Sequence, residues 1–198
     1  MEVNYSSNYI DYSRQELLDK IAQKMSAKRF THVLGVEETA LKLAKIYHGN
    51  LEKASIAALV HDYAKERSDE EMIALIHEKS LDERLIAFGN NIWHGIAGAE
   101  LIKKELDVFD EEILNAVRRH TTGDAQMTLL DKIIYVADYI EPNRSFPNVD
   151  EARKIAFQNL DQAVKYETKQ TLSFLIEKQA LIYPKTIDTY NAWVATNK

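Results

Sequence analysis

Apolar residues along this chain recur three and four positions apart, the period of a helix with one buried face, and no stretch alternates as a half-buried strand does. Ser13 with Glu16 forms a capping-box pattern, and Leu17, Leu18, Ile21 and Met25 behind it mark a first helix. Residues before about Asp11 read as a loose tail. A second pattern runs through Phe30, Val33, Leu34, Val36, Ala40, Leu43, Ala44 and Tyr47 and stops at His48-Gly49-Asn50. Ala54 to Tyr63 is apolar on nearly every side, as a buried central helix must be. Ser68 with Glu71 opens another capped helix, and Leu81 to Phe88 is a shorter amphipathic piece ended by Gly89-Asn90.

His94 is expected to begin the helix HGIAGAELIKKEL, whose small residues permit close approach of a neighbour. Asp110 caps the next helix, which runs to His120. Thr128 starts TLLDKIIYVADYI, stopped at Glu141-Pro142 because the residue before proline is pushed out of the helical region. Beyond the loop PNRSFPN, helices are expected near Asp150 to Ala156, Leu160 to Ile182 and Thr186 to Ala195. The expected fold class is therefore all-α, a helical bundle with short connections. Its organisation is a tail over residues 1–12 and one domain over residues 13–198.

Composition narrows the function. A length of 198 residues suits one domain with a sizeable core. A formal charge of -6 argues against a broad surface for neutralising duplex nucleic acid, and leaves open a compact anionic ligand in a local basic pocket. There is no Cys, so any tightly bound metal must use imidazole, carboxylate and water. The N-terminus lacks a basic segment followed by an apolar stretch, and no run approaches the ~20 apolar residues of a membrane span. A soluble, cytoplasmic protein is expected.

The candidate chemistry lies in polar residues at apolar positions. His61 and Asp62 interrupt an apolar helix near its end, where an ionised carboxylate is costly unless paired or bound to a cation. Asp138 in YVADYIEP poses the same problem. Taken singly, each has an ordinary explanation: a buried His-Asp ion pair, a helix-end salt bridge, a core histidine at His32, a polar helix start at His94, a helix cap at His120. His48 and His77 read as a C-terminal cap and an exposed last-turn residue, with no site role. Thr121, Thr122 and Gly123 follow His120 with hydroxyls, amides and a flexible turn suited to phosphate. Arg29, Lys65 and Arg144 fall close to the candidate ligands, although most of the 25 Lys and Arg must be solvated surface charges. Asp131, two turns before Asp138, is either an orienting group for a ligand histidine or a partner for a surface cation.

Taken together and in order, a His, an adjacent His-Asp pair, two further His and an Asp resemble the HD superfamily of metal phosphohydrolases. RFTHVLGVEETA, AALVHDYAK, WHGIAGAE, RRHTTG and DKIIYVADYIEPNR are similar to the YqeK-type family of symmetrical diadenosine tetraphosphate hydrolases, over roughly Lys28 to Arg153. The resemblance implies an HD-domain bundle in which His32, His61, Asp62 and Asp138 hold one metal, and His94, His120 and a bridging Asp62 hold a second. It implies two divalent or mixed-valence ions, iron in the family, although this ligand set equally suits manganese, cobalt or zinc. Asp62, His94 and Lys65 would serve the reaction, with His94 as ligand or as general acid. Arg29, Lys65, Thr121, Thr122, Gly123, Arg144 and Arg153 would contact the substrate. The expected reaction is attack of metal-activated hydroxide on an inner phosphorus, releasing two ADP. A homodimer is compatible with this reading. The rivals are an HD-type nucleotidase acting on nucleoside monophosphates and a non-catalytic nucleotide-binding or ribosome-associated module.

Overall fold

In the computed structural model, which describes residues 3–195, the helix without a polar face occupies the centre. This is α3 (Leu51–Val60), in which every residue from Ala54 to Val60 is buried. Four helices pack around it: α1 (Arg14–Ala22), the long α2 (Ala27–Ile46), α7 (Glu111–Arg119) and α8 (Leu129–Ile140). On one flank α4 (Asp69–Glu78), a 3-10 helix (Glu83–Phe88), α5 (Asn90–Ile96) and α6 (Gly98–Leu106) build against α7. On another, α9 (Val149–Ala156) and α10 (Leu160–Glu177) lie on α8, and α11 (Pro184–Trp193) closes onto α10. The described residues include no strand, so the expected all-α bundle is what forms. None of their helices is long and apolar enough to cross a membrane.

The capping signals act as written. Ser13 and Glu16 form a reciprocal box, Asp110 accepts from the amides of Glu112 and Ile113, and Thr128 forms a second box with Asp131. Glu141 leaves helical geometry with ψ at 155°, as the following proline demands. The small residues do serve close packing. A Cβ on Gly98 would stand 2.9 Å from Ala64 Cβ, and one on Gly95 would stand 3.0 Å from the Val117 carbonyl oxygen.

Four expectations change. The segment before Asp11 is packed rather than loose. Ile10 is buried, Tyr5 Oη lies 2.7 Å from Ser55 Oγ, and Ser6 donates its amide and hydroxyl to Glu52. Residues 1 and 2 of the expected tail, and residues 196–198 of the expected domain, lie outside the described residues. HGIAGAELIKKEL is not one helix begun by His94: α5 starts at Asn90, places His94 in its last turn, and gives way to α6 at Ala97. The helix from Leu160 ends at Glu177 rather than Ile182, with Gln179 at a φ of 52°, a left-handed conformation that ends a helix. α11 stops at Trp193, two residues short of the expected end.

One buried group has no sequence signal. Glu167 of α10 is buried, and its Oε2 makes no hydrogen bond. Burial first, and the nearby Asp138 charge second, push its carboxyl well above the usual carboxylate range. Because the folded pKa is raised, folding favours the protonated form, and stability is lost as pH rises above the unfolded value. Glu167→Gln is therefore expected to be more stable than wild type at pH 7 to 8, the difference vanishing below about pH 4, as read by urea unfolding across that range. Gly98→Val, by contrast, should cost about 1–3 kcal/mol in the same assay, since neither backbone can retreat.

Candidate metal centre

Helix ends bring the chemistry together. His61 is the C-cap of α3 and Asp62 follows it, His94 lies in the last turn of α5, His120 is the C-cap of α7, and Asp138 is in the final turn of α8. The C-terminal end of a helix carries a partial negative charge, so four helices direct that charge toward one place. His32 alone comes from within a helix, the long α2.

Asp62 is the hub. It is 3% exposed, and its two oxygens face different partners. Oδ2 lies 3.5 Å from His32 Nε2 and 3.6 Å from His61 Nε2, whereas Oδ1 lies 3.3 Å from His94 Nε2 and 3.8 Å from His120 Nε2. Asp138 Oδ1 joins the first group, 3.0 Å from His32 Nε2 and 4.0 Å from His61 Nε2. Three sets have ligand atoms all within 4.8 Å of one another: His32, His61 and Asp62; His61, His120 and Asp138; Asp62, His94 and His120. All six predicted ligands therefore converge.

The outward nitrogens decide what the inward ones can do. His61 Nδ1 is 2.7 Å from the Ala58 carbonyl oxygen, His94 Nδ1 is 2.6 Å from that of Asn90, and His120 Nδ1 is 2.7 Å from that of Val117. His32 Nδ1 is 3.2 Å from Glu141 Oε1. Carbonyl and carboxylate oxygens only accept, so each Nδ1 carries the proton and each Nε2 presents a lone pair inward. His94 Nε2 and His120 Nε2 then face each other at 2.9 Å, and His32 Nε2 and His61 Nε2 make no aligned hydrogen bond. Buried lone pairs crowded in this way, among two carboxylates, require positive charge between them. The donor set suits a divalent metal.

Electrostatics agree at His94 and His120, whereas at His32 burial is outweighed by Asp138, which raises the imidazole above its ordinary value. Burial dominates at His94 and His120 and opposes protonation, so His94 is drawn well below the ordinary imidazole value and His120 to about 4. Burial works against the Asp62 charge, yet the carboxyl is held below the usual range, with the Arg29 guanidinium 2.6 Å from Oδ2. Asp138 is likewise held well below that range, against the effect of burial, by the Arg144 guanidinium.

The basic residues separate into two classes. Arg29 Nη1 donates to Asp62 Oδ2 at 2.6 Å, and Arg144 donates through Nη2 to Asp138 Oδ1 at 2.5 Å. Lys65 Nζ stands 3.4 Å from both His94 Nδ1 and Asn91 Oδ1, with a pKa lowered first by its burial. Arg153 is turned elsewhere. Its guanidinium donates to the carbonyls of Ile140, Glu141 and Arg144, bracing the loop that follows α8.

The loop after His120 divides similarly. Thr121 Oγ1 reaches the centre, 3.1 Å from His120 Nε2 and 3.3 Å from His94 Nε2. Thr122 is buried and its hydroxyl donates to the Gly123 carbonyl, while Gly123, at a φ of 64°, lies so close to α11 that a Cβ would stand 2.5 Å from Thr189 Cγ2. Asp131 touches none of the histidines. It is fully buried and pairs with Arg119 at 2.5 Å, tying the base of His120 to the start of α8. His77 is exposed and remote from the cluster, as is His48.

Glu141 has no place in the sequence expectation, where it served only as the residue before a proline. Its signal was positional: an acid one turn beyond Asp138 at the end of an apolar helix.

A family model described as HD domain matches residues 29–143, more than half of the chain. The chain belongs to the HD domain family. This HD protein is 45% identical to the symmetrical bis(5'-nucleosyl)-tetraphosphatase of Bacillus subtilis (strain 168), over 93% of this chain and 98% of that one. The protein of the same name from Staphylococcus aureus (strain NCTC 8325 / PS 47) is 40% identical over 85% of this chain and 88% of its own length. Among solved structures, a predicted HD superfamily hydrolase involved in NAD metabolism from Clostridium acetobutylicum matches with a TM-score of 0.87 at 41% identity, covering 92% of this chain and 97% of that one. The HD motif accounts for the His61-Asp62 pair at the hub.

Asp62→Ala is expected to strip the HD centre of bound metal, while His77→Ala retains it in full. Metal content per chain after dialysis measures both, and equal losses would overturn the assignment of Asp62 as hub.

Proposed function

We propose that the chain is a metal-dependent hydrolase that cleaves diadenosine tetraphosphate symmetrically into two ADP. The observation that carries this reading is the division of Asp62, one oxygen toward His32 and His61, the other toward His94 and His120. That geometry supports two ions, one held by His32, His61, Asp62 and Asp138, the other by Asp62, His94 and His120. Iron is the proposed metal, with manganese, cobalt and zinc compatible with the same nitrogen and oxygen set. The substrate is taken from the relatives, whose name is that of a symmetrical bis(5'-nucleosyl)-tetraphosphatase.

When bound, such ions supply Lewis acidity toward phosphoryl oxygens and make water a better nucleophile at neutral pH. The chain's own contribution is charge and position. Arg29, Lys65 and Arg144 place three cationic side chains around the carboxylates, where they hold a tetraphosphate and offset charge that grows on the departing phosphate. Thr121 offers a hydroxyl beside both imidazoles of the second group. Thr122, Gly123 and Arg153 act from behind, by fixing the two loops that carry Thr121 and Arg144. The oxygen of one water bonds to an inner phosphorus as the central phosphoanhydride bond breaks, so each half leaves as ADP. His94 serves as a ligand in this reading rather than as a general acid, because its Nδ1 proton is engaged by Asn90 and its Nε2 faces the cluster.

Incubation with diadenosine tetraphosphate, followed by nucleotide chromatography, should give ADP alone. ATP with AMP would overturn symmetrical cleavage, and activity confined to nucleoside monophosphates would replace it with a nucleotidase. Lys65→Ala is expected to lower kcat about 10²–10³-fold, as removal of one charge-stabilising donor does, with metal content unchanged.

A further inference from the structure

The four histidines of the centre are oriented in two ways. His61, His94 and His120 each reach back three or four residues to a carbonyl of their own chain segment. His32, within α2, instead sends Nδ1 across the fold to Glu141 Oε1 at 3.2 Å. Glu141 is 2% exposed, and it is held in turn: Oε2 accepts from the Asn143 amide at 2.7 Å and from Asn143 Nδ2 at 3.0 Å. Space for it is made on α2 one turn beyond His32. A Cβ on Gly35 would run into Glu141 Oε2 and stand 3.2 Å from Asn143 Nδ2. Glycine in a helix interior weakens the helix relative to alanine, and here the missing methyl leaves a socket for a carboxylate. Asp138, one turn before Glu141, faces the other nitrogen of the same ring. A single chain segment thus holds His32 from both sides.

We propose that Glu141 is a positioning residue for His32, with Gly35 as its socket: it fixes the tautomer that turns the Nε2 lone pair inward and sets the metal affinity of the half-centre made by His32, His61, Asp62 and Asp138. The inference rests on the two-ion reading above. A carboxylate behind a ligand imidazole raises its basicity and fixes its plane, and loss of such a partner typically lowers affinity about 10–100-fold. The other half-centre, whose histidines lean on backbone carbonyls, does not depend on Glu141.

Metal-free protein titrated with Mn²⁺ by calorimetry, with thermal unfolding of the metal-free protein followed in parallel, tests this. In Glu141→Ala one of two binding steps should weaken about 10–100-fold while the other keeps its wild-type affinity. Gly35→Ala should weaken the same step by displacing the carboxylate, with no drop in the melting temperature of the metal-free protein. Both steps at wild-type affinity, or both weakened alike together with a lower melting temperature, would overturn the positioning role. If Glu141→Ala does not fold, Gly35→Ala decides alone: unchanged affinity there overturns the inference. A wild-type protein with a single binding step defeats the two-ion reading, and the response of that one step to the variants still judges Glu141.

Discussion

Everything in this fold answers to the cost of keeping Asp62 charged in the interior. A buried carboxylate is tolerated only with compensating positive charge, and here the compensation falls to Arg29 and to the cation that the four imidazoles are arranged to hold. That demand explains why α3 is apolar from Ile56 to its last residue and polar immediately after it. The helix buries its length to deliver His61 and Asp62 to the one point where α5, α7 and α8 also end. A centre assembled from helix termini has a second benefit, because terminal turns offer carbonyl oxygens that can hold an imidazole by its outer nitrogen. His61, His94 and His120 use this means, and His32, lacking it, recruits Glu141.

The basic side chains have two conditions to meet, and the structure assigns them to different residues. Arg29 and Arg144 reach the carboxylates directly, and Lys65 stands beside His94. Arg153, Arg119 and Gly123 keep the loops still: one guanidinium on three carbonyls, one on the cap of α8, and a glycine pressed on α11. Motif membership alone does not tell these apart, since a residue that fixes a loop is as tightly specified as one that touches the ligand.

What was legible in the sequence was local or periodic. The Ser13 and Thr128 boxes, the Asp110 cap and the stop at Glu141-Pro142 depend on residues a turn apart, and the six converging side chains were marked by polarity in apolar surroundings. What was not legible depended on partners distant in sequence. Tyr5 and Ser6 look like tail residues until Ser55 and Glu52 are seen opposite them. The position of His94 shifted because Gly89, at a φ of 69°, starts α5 earlier than the small-residue run suggested. Gln179 ends α10 in a left-handed conformation that glutamine does not advertise. Glu141 acquires its meaning only from a ring 109 residues earlier in the chain.

The brace behind His120 has a consequence for how the protein comes into being. Thr189 donates to the carbonyl of Thr122 and Trp193 to that of Asp124, so the turn that presents His120 and Thr121 is fastened by residues 67 and 69 positions later. Both fastening residues lie beyond the last ligand, Asp138, in the chain, so they are made after it. A chain still leaving the ribosome therefore has all six converging side chains before it has the residues that fasten the turn after His120.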